Sequence, residues 1–174
     1  MPFHHLALAT RDTKANHEFY TSAMGFELVK IVALPTPQGD GFSKHFFYDT
    51  GGGELMAFWE FHDDSIPADF SPAIATGLGL PIWTNHVAFA ASDLDDLAAK
   101  RDRWLDQGHD VMEADHHWCR SIYTQDPNGI LVEFSVNTRE FDDADRKDAQ
   151  DRLWDPQPSF DEDAVITIHK AAER

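Results

Sequence analysis

The sequence predicts an α+β fold made of one βαβββ unit written twice. Three observations carry this. First, His5-Leu-Ala-Leu-Ala-Thr-Arg-Asp12 and His86-Val-Ala-Phe-Ala-Ala-Ser-Asp93 are near-copies, each a histidine, an alternating apolar run and an aspartate. Second, a helix-like segment follows each copy and stops at a glycine, Gly25 or Gly108. Third, three strand-like runs follow each helix, separated by Gly, Pro, Asn and Asp turn signals.

In the first copy the opening strand runs over about 3–10. Its alternation puts His5, Ala7 and Ala9 on one face and Leu6 and Leu8 on the other. Asp12 and Thr13 offer an N-cap to a helix over about 14–24, striped by Phe19, Tyr20 and Ala23. Strands follow over 26–34, 44–50 and 54–61, with turns at 35–40 and 51–53. In the second copy the expected elements are a strand over 85–91, a helix over 94–107 and strands over 110–114, 120–125 and 130–136. Asp126-Pro-Asn-Gly129 joins the last two. The organisation is therefore a first module over 1–61, a second over 85–136 and an acidic tail over 137–174. The connection over 62–84 is long for a compact domain, often a functional sign. Within the tail, 142–153 suits a polar helix.

Composition narrows the function classes. The chain has 174 residues, 42% of them hydrophobic, enough for a globular interior. Charges and glycines break every run before the ~20 apolar residues of a membrane span, so no membrane association is expected. Met-Pro-Phe-His-His lacks the basic and apolar regions of a signal peptide. The single Cys119 fits a reducing, cytoplasmic setting. A net charge of −17 repels phosphate backbones, so nucleic acid is not an expected partner. The acids crowd 140–163, which reads as a solvated tail.

The repeat also marks a site. His5 and His86 share faces with alanines, which leave room in front of a ligand, while the apolar bulk faces the helix side. In the last strand Leu131, Glu133 and Ser135 share one face and Ile130, Val132 and Phe134 the other. A buried lone carboxylate is costly and needs compensation. Two imidazoles and a carboxylate match the facial triad of non-haem Fe(II) oxygenases, which leaves three coordination positions open. One histidine on a sheet face is more often hydrogen-bonded core than ligand. Two at repeat-equivalent positions, joined by Glu133, favour the metal.

The two His-x-Ala strand starts, Phe19-Tyr20 with Gly25-Phe26-Glu27-Leu28, and Tyr123-Thr-Gln-Asp-Pro-Asn-Gly-Ile-Leu-Val-Glu133 carry a resemblance. The chain resembles the vicinal oxygen chelate superfamily, which includes glyoxalase I, bleomycin-resistance proteins, fosfomycin-resistance transferases and type I extradiol dioxygenases. The resemblance spans about residues 3–136. It implies two βαβββ modules, each curling into half of an open barrel around a metal, with His5, His86 and Glu133 as ligands. Glyoxalase I and its epimerase relatives add a fourth ligand from the first module. Aligning Gly53 with Gly129 puts Ala57 at that place, and Glu54 and Glu60 fall on the other face.

The spacing from His116 through Ile122-Tyr123, Asp126-Pro127 and Gly129 to Glu133 is close to the extradiol signature, departing at Ala114. The resemblance thus implies ring cleavage of a catechol-like aromatic diol with O2. Fe(II) is the leading ion; Mn(II) or another divalent metal is the alternative. Tyr123 and His116 would orient substrate. The acid/base histidine of the extradiol enzymes is missing from 54–60, and His45 or His62 stands in; His4 is expected on the face opposite His5. Phe47, Phe58, Trp59, Phe61, Trp83 and Trp118 supply aromatic surface for a pocket. A homodimer is expected, with the site within one chain or shared across two. Other readings are a glyoxalase- or epimerase-like isomerase, a thiol transferase, for which Lys30, Lys44 and Arg120 form no basic cluster, and a metal-free drug-binding protein.

Overall fold

In the computed structural model, which describes residues 3–37 and 39–172, the chain forms two sheets. The first holds β1 (His5–Ala9), β2 (Glu27–Pro35), β3 (Phe42–Asp49) and β4 (Leu55–His62) in the order β1-β4-β3-β2. The second holds β5 (His86–Ala90), β6 (Val111–Asp115), β7 (Cys119–Gln125), β8 (Leu131–Asn137) and β9 (Val165–His169) in the order β5-β8-β7-β6-β9. Both sheets pair their first strand in parallel with their fourth, β1 with β4 and β5 with β8. The expected α+β class and repeated βαβββ order are therefore present, with the two sheets separate and not joined into a closed barrel.

Local chemistry sets the helices. Asp12 caps α1 (Thr13–Glu18), its carboxylate accepting from Ala15 N at 2.9 Å. The expected single helix becomes α-helix and then a π-helical turn over Phe19–Ala23. There Thr21 donates its hydroxyl to the His17 carbonyl at 2.7 Å, a back-bond of the kind that bends helices. Gly25 follows at φ 76°, the left-handed stop expected of it. Asp93 caps α2 (Leu94–Asp106), and Asp142 forms a capping box on α3 (Asp143–Leu153). The turn expected over 35–40 contains Gln38, which lies outside the described residues; beside it Thr36 N donates to the Gly41 carbonyl at 3.1 Å.

One core serves both units. Tyr20, Phe26, Phe46 and Phe58 of the first meet Val87, Trp104, Val132 and Phe134 of the second in a single buried cluster. Polar contacts tie the same seam. The Tyr20 hydroxyl donates to Asp126 Oδ2 at 3.0 Å, and Asn128 Nδ2 donates to Asn16 Oδ1 at 2.7 Å. Asp126 also accepts from the backbone of Asn128 and Ile130, both at 2.8 Å, so the turn expected at 126–129 doubles as a joint between modules.

The tail corrects an expectation. The polar helix expected over 142–153 is present as the exposed α3, but the tail then adds β9, which was not expected and which pairs antiparallel with β6 as a fifth strand of the second sheet. Acidic residues there are paired locally: Arg139 with Asp145, Arg152 with Asp148 and Asp161, Lys147 with Asp151.

Candidate functional site

Both histidine strands present the expected face. Val87 is buried and Phe89 half-buried against the core, while His86, Ala88 and Ala90 are exposed. Likewise Leu6 and Leu8 pack on the core, and His5 and Ala7 are exposed. Alternation along the pleat fixes this, because successive side chains point to opposite faces.

On the second sheet, Glu133 sits across from Ala88, one strand inward from His86, and is buried. The His86 Nδ1–H donates to the Trp83 carbonyl at 3.0 Å, leaving Nε2 facing Glu133 Oε2 at 3.0 Å. With the proton on Nδ1, Nε2 and the carboxylate oxygen are both acceptors. Their approach is favourable only with a second proton on the ring or a cation between them. The donor pair therefore fits a divalent ion. Tyr123 lies next along the row, in register with Glu133, its ring centroid 6.3 Å from that of His86. Burial pushes its phenol up to about 12, and the Glu133 carboxylate adds to this, so at neutral pH it is a donor. His116 Nε2 is 3.1 Å from the Tyr123 hydroxyl.

On the first sheet, His45 comes beside His5, ring centroids 6.1 Å apart. It is buried, stacked on Trp59 at 3.8 Å, and its Nε2 has no hydrogen-bond partner. Burial, with His5 adding to it, pulls its pKa below the usual histidine value. Ala57 sits across from Ala7 as Glu133 sits across from Ala88, so an alanine occupies the position equivalent to the carboxylate. Glu60 is bound to Lys44 at 2.9 Å and to His62 at 3.1 Å.

Several expectations need correcting. His4 does not point away from His5: it precedes the strand, so pleat alternation does not govern it, and the two Nδ1 atoms lie 2.7 Å apart. Phe58 is wholly buried core and no pocket aromatic, whereas Phe47 and Trp59 flank His45. His62 stacks on Phe42 and pairs with Glu60. The structure brings together His86, Glu133, Tyr123 and His116, and separately His5 and His45. Among the described residues no group of three or more His, Cys, Asp or Glu side chains could hold a metal ion, so His5 and the His86–Glu133 pair do not meet within one chain. Sequence reasoning also missed a cleft of about 1010 Å³ between His116 and Trp118 on one side and Phe141, Arg139 and Arg152 of the tail on the other. Nothing in the acidic composition of the tail signals it.

The family model described as the Glyoxalase/Bleomycin resistance protein/Dioxygenase superfamily matches residues 3–134. The chain belongs to that superfamily. Solved structures show the same superfamily fold. A glyoxylase/bleomycin resistance protein/dioxygenase domain from Frankia sp. EAN1pec aligns with TM-score 0.59 at 16% identity, covering 79% of this chain and 98% of its own. A genomically encoded fosfomycin resistance protein from Listeria monocytogenes aligns with TM-score 0.53 at 18% identity, covering 79% and 94%. A lactoylglutathione lyase from Agrobacterium tumefaciens aligns with TM-score 0.50 at 22% identity, covering 77% and 92%. No curated protein matches. Members of the superfamily often use divalent metals, and no described helix is long and apolar enough to cross a membrane.

Proposed function

We propose that this superfamily member is a metal-dependent enzyme that cleaves a catechol-like aromatic diol beside its hydroxyls, with Fe(II) as the leading ion and Mn(II) as the alternative. The observation that carries the reading is the register of Ala57 with Ala7 where Glu133 faces Ala88. It would leave two imidazoles and one carboxylate to hold the ion, a donor set that suits an open, catalytic site. His86 and Glu133 would hold the ion, and His5 would come from a second copy of the chain, making the working unit a homodimer. The outward exposure of both histidine faces supports this.

When bound, the ion supplies Lewis acidity toward the diol and one-electron chemistry toward oxygen. The protein's part is positional and acid–base. His45, its pKa lowered by burial and its ring stacked on Trp59, has a buried Nε2 without a hydrogen-bond partner, which would take a proton from a diol hydroxyl once the flanking side chains move to uncover it. Tyr123 keeps its proton and can donate to an oxygen beside Glu133, with His116 steadying its hydroxyl. Phe47 and Trp59 give the first half-site an apolar wall that excludes water.

The test is elemental analysis of the purified protein together with oxygen uptake on catechols after anaerobic Fe(II) loading. About one ion per chain, with oxygen consumed and a yellow ring-opened product, is the expected result. Metal without oxygen uptake would redirect the assignment to isomerase or transferase chemistry. Failure to take up any metal would leave a binding protein.

A further inference from the structure

The first sheet has a second usable face. Along β3 the His45 and Phe47 side chains lie on the candidate-site side, so Lys44, Phe46 and Tyr48 lie on the other. β2 meets them through an irregularity. Leu28 is in register with Tyr48 and Lys30 with Phe47, so β2 carries one extra residue, Val29. The bulge brings Leu28 and Ile31 onto the face of Tyr48 and Phe46, and turns Lys30 to the side of Phe47. Ile31 is 51% exposed there, beside the buried Phe46.

Between this face and α1 lies a cleft of about 640 Å³ at the margin of the shared core. His17 of α1 meets the Tyr48 hydroxyl at 3.1 Å and ties the helical wall to the strand. Leu28, Ile31 and Phe46 give the cleft an apolar floor, and charged residues surround it. Arg11, Lys14 and Lys44 stand against Asp12 and Glu60, an excess of one positive charge on a chain of net −17. Both carboxylates are engaged: Asp12 accepts from Ala15 N, and Glu60 holds Lys44 at 2.9 Å. Arg11 and Lys14 make no ion pair among the described residues, although most other described lysines and arginines do. Acids outnumber bases 31 to 14, so an unpaired cation is unusual here, and two of them line one cleft.

We propose that this cleft is a second binding site, for a monocarboxylate with an apolar body. Arg11 and Lys14 take the carboxylate, and Leu28, Ile31 and Phe46 seat the body. A single excess charge suits a monoanion; a phosphate dianion would be repelled by Asp12 and Glu60. The volume is that of a small-molecule site. Lys44 and His45 are neighbours on a pleated strand, so this cleft and the candidate centre lie on opposite faces of one sheet. The site therefore stands apart from the centre and does not depend on its chemistry.

The experiment is calorimetric titration of the full-length protein at low ionic strength, metal-free and then loaded anaerobically with Fe(II). The probes are 4-butylbenzoate, benzoate, which lacks the alkyl chain, and 4-butylbenzyl alcohol, which lacks the charge. One 4-butylbenzoate per chain should bind, at least about tenfold more tightly than either control, with or without Fe(II). Replacing both cations, Arg11→Gln with Lys14→Gln, should bring 4-butylbenzoate down to the level of the alcohol. Ile31→Asn should bring it down to the level of benzoate. All three positions are exposed, so these variants keep the fold, which a thermal melt checks. No binding, equal affinity for acid and alcohol, or affinity indifferent to the variants would overturn the proposal. Binding that requires Fe(II) would do so too, because it would put the carboxylate at the candidate centre. So would conversion of a dimer to a monomer by Ile31→Asn, which would identify a second copy as the occupant. Failure of oxygen uptake on catechols would sink the ring-cleavage reading and leave this site standing.

Discussion

His86 and Glu133 face each other through two lone pairs, and that contact makes the centre sensitive to a single oxygen atom. Glu133→Gln keeps the volume and removes the charge, so it should lower affinity for a divalent ion by at least about 100-fold, read by metal titration. His45→Gln should leave metal content intact while lowering kcat by about 100-fold or more, the range of a lost proton acceptor. A loss of metal in that variant would place His45 in the ligand set. Asp126 makes a different residue-scale prediction. Burial holds its pKa above the ordinary carboxylate value, although hydrogen bonds from Ile130, Asn128 and Tyr20 oppose the shift. The native state then keeps a proton that the unfolded chain releases, so this group's contribution to stability falls as pH rises from about 4 through its native pKa. Thermal melts of wild type and Asp126→Asn should show the wild-type advantage narrowing over that window; a widening gap would reverse the assignment.

At the scale of elements, strand and helix boundaries follow from local chemistry. The π-helical turn and β9 do not. Helical spacing in Lys14–Met24 is legible, but the switch to i→i+5 bonding answers packing of Phe19 and Tyr20 into a core shared with the other module. Val165-Ile-Thr-Ile-His169 alternates too briefly to stand out beside an acidic run, and it becomes a strand because the β6 edge is there to receive it. Gly25 tests the helix stop. Its φ is 76°, and a Cβ there would meet the Arg103 guanidinium, which donates to the Met24 carbonyl at 3.2 Å. Gly25→Ala should cost about 1–2 kcal/mol in chemical denaturation. An unchanged midpoint would show that the helix end relaxes at no cost.

For the whole molecule, the inner faces of both sheets are spent on one common core, so the histidine faces turn outward. A centre built from His5 and from His86 with Glu133 then needs two copies. Mixing His5→Ala and Glu133→Gln proteins after reversible dissociation should restore metal sites to roughly a quarter of the wild-type number, since each mixed dimer regains one intact site. No recovery would mean that the three residues act within one chain. The repeat, the faces of β1, β5 and β8 and the candidate donors were legible from sequence, because pleat alternation and capping act over a few residues. Which donors meet, the pairing of His45 with Trp59 and the fifth strand were decided by tertiary structure alone. Those contacts join residues far apart in the chain, and no local pattern encodes a partner that only packing brings near.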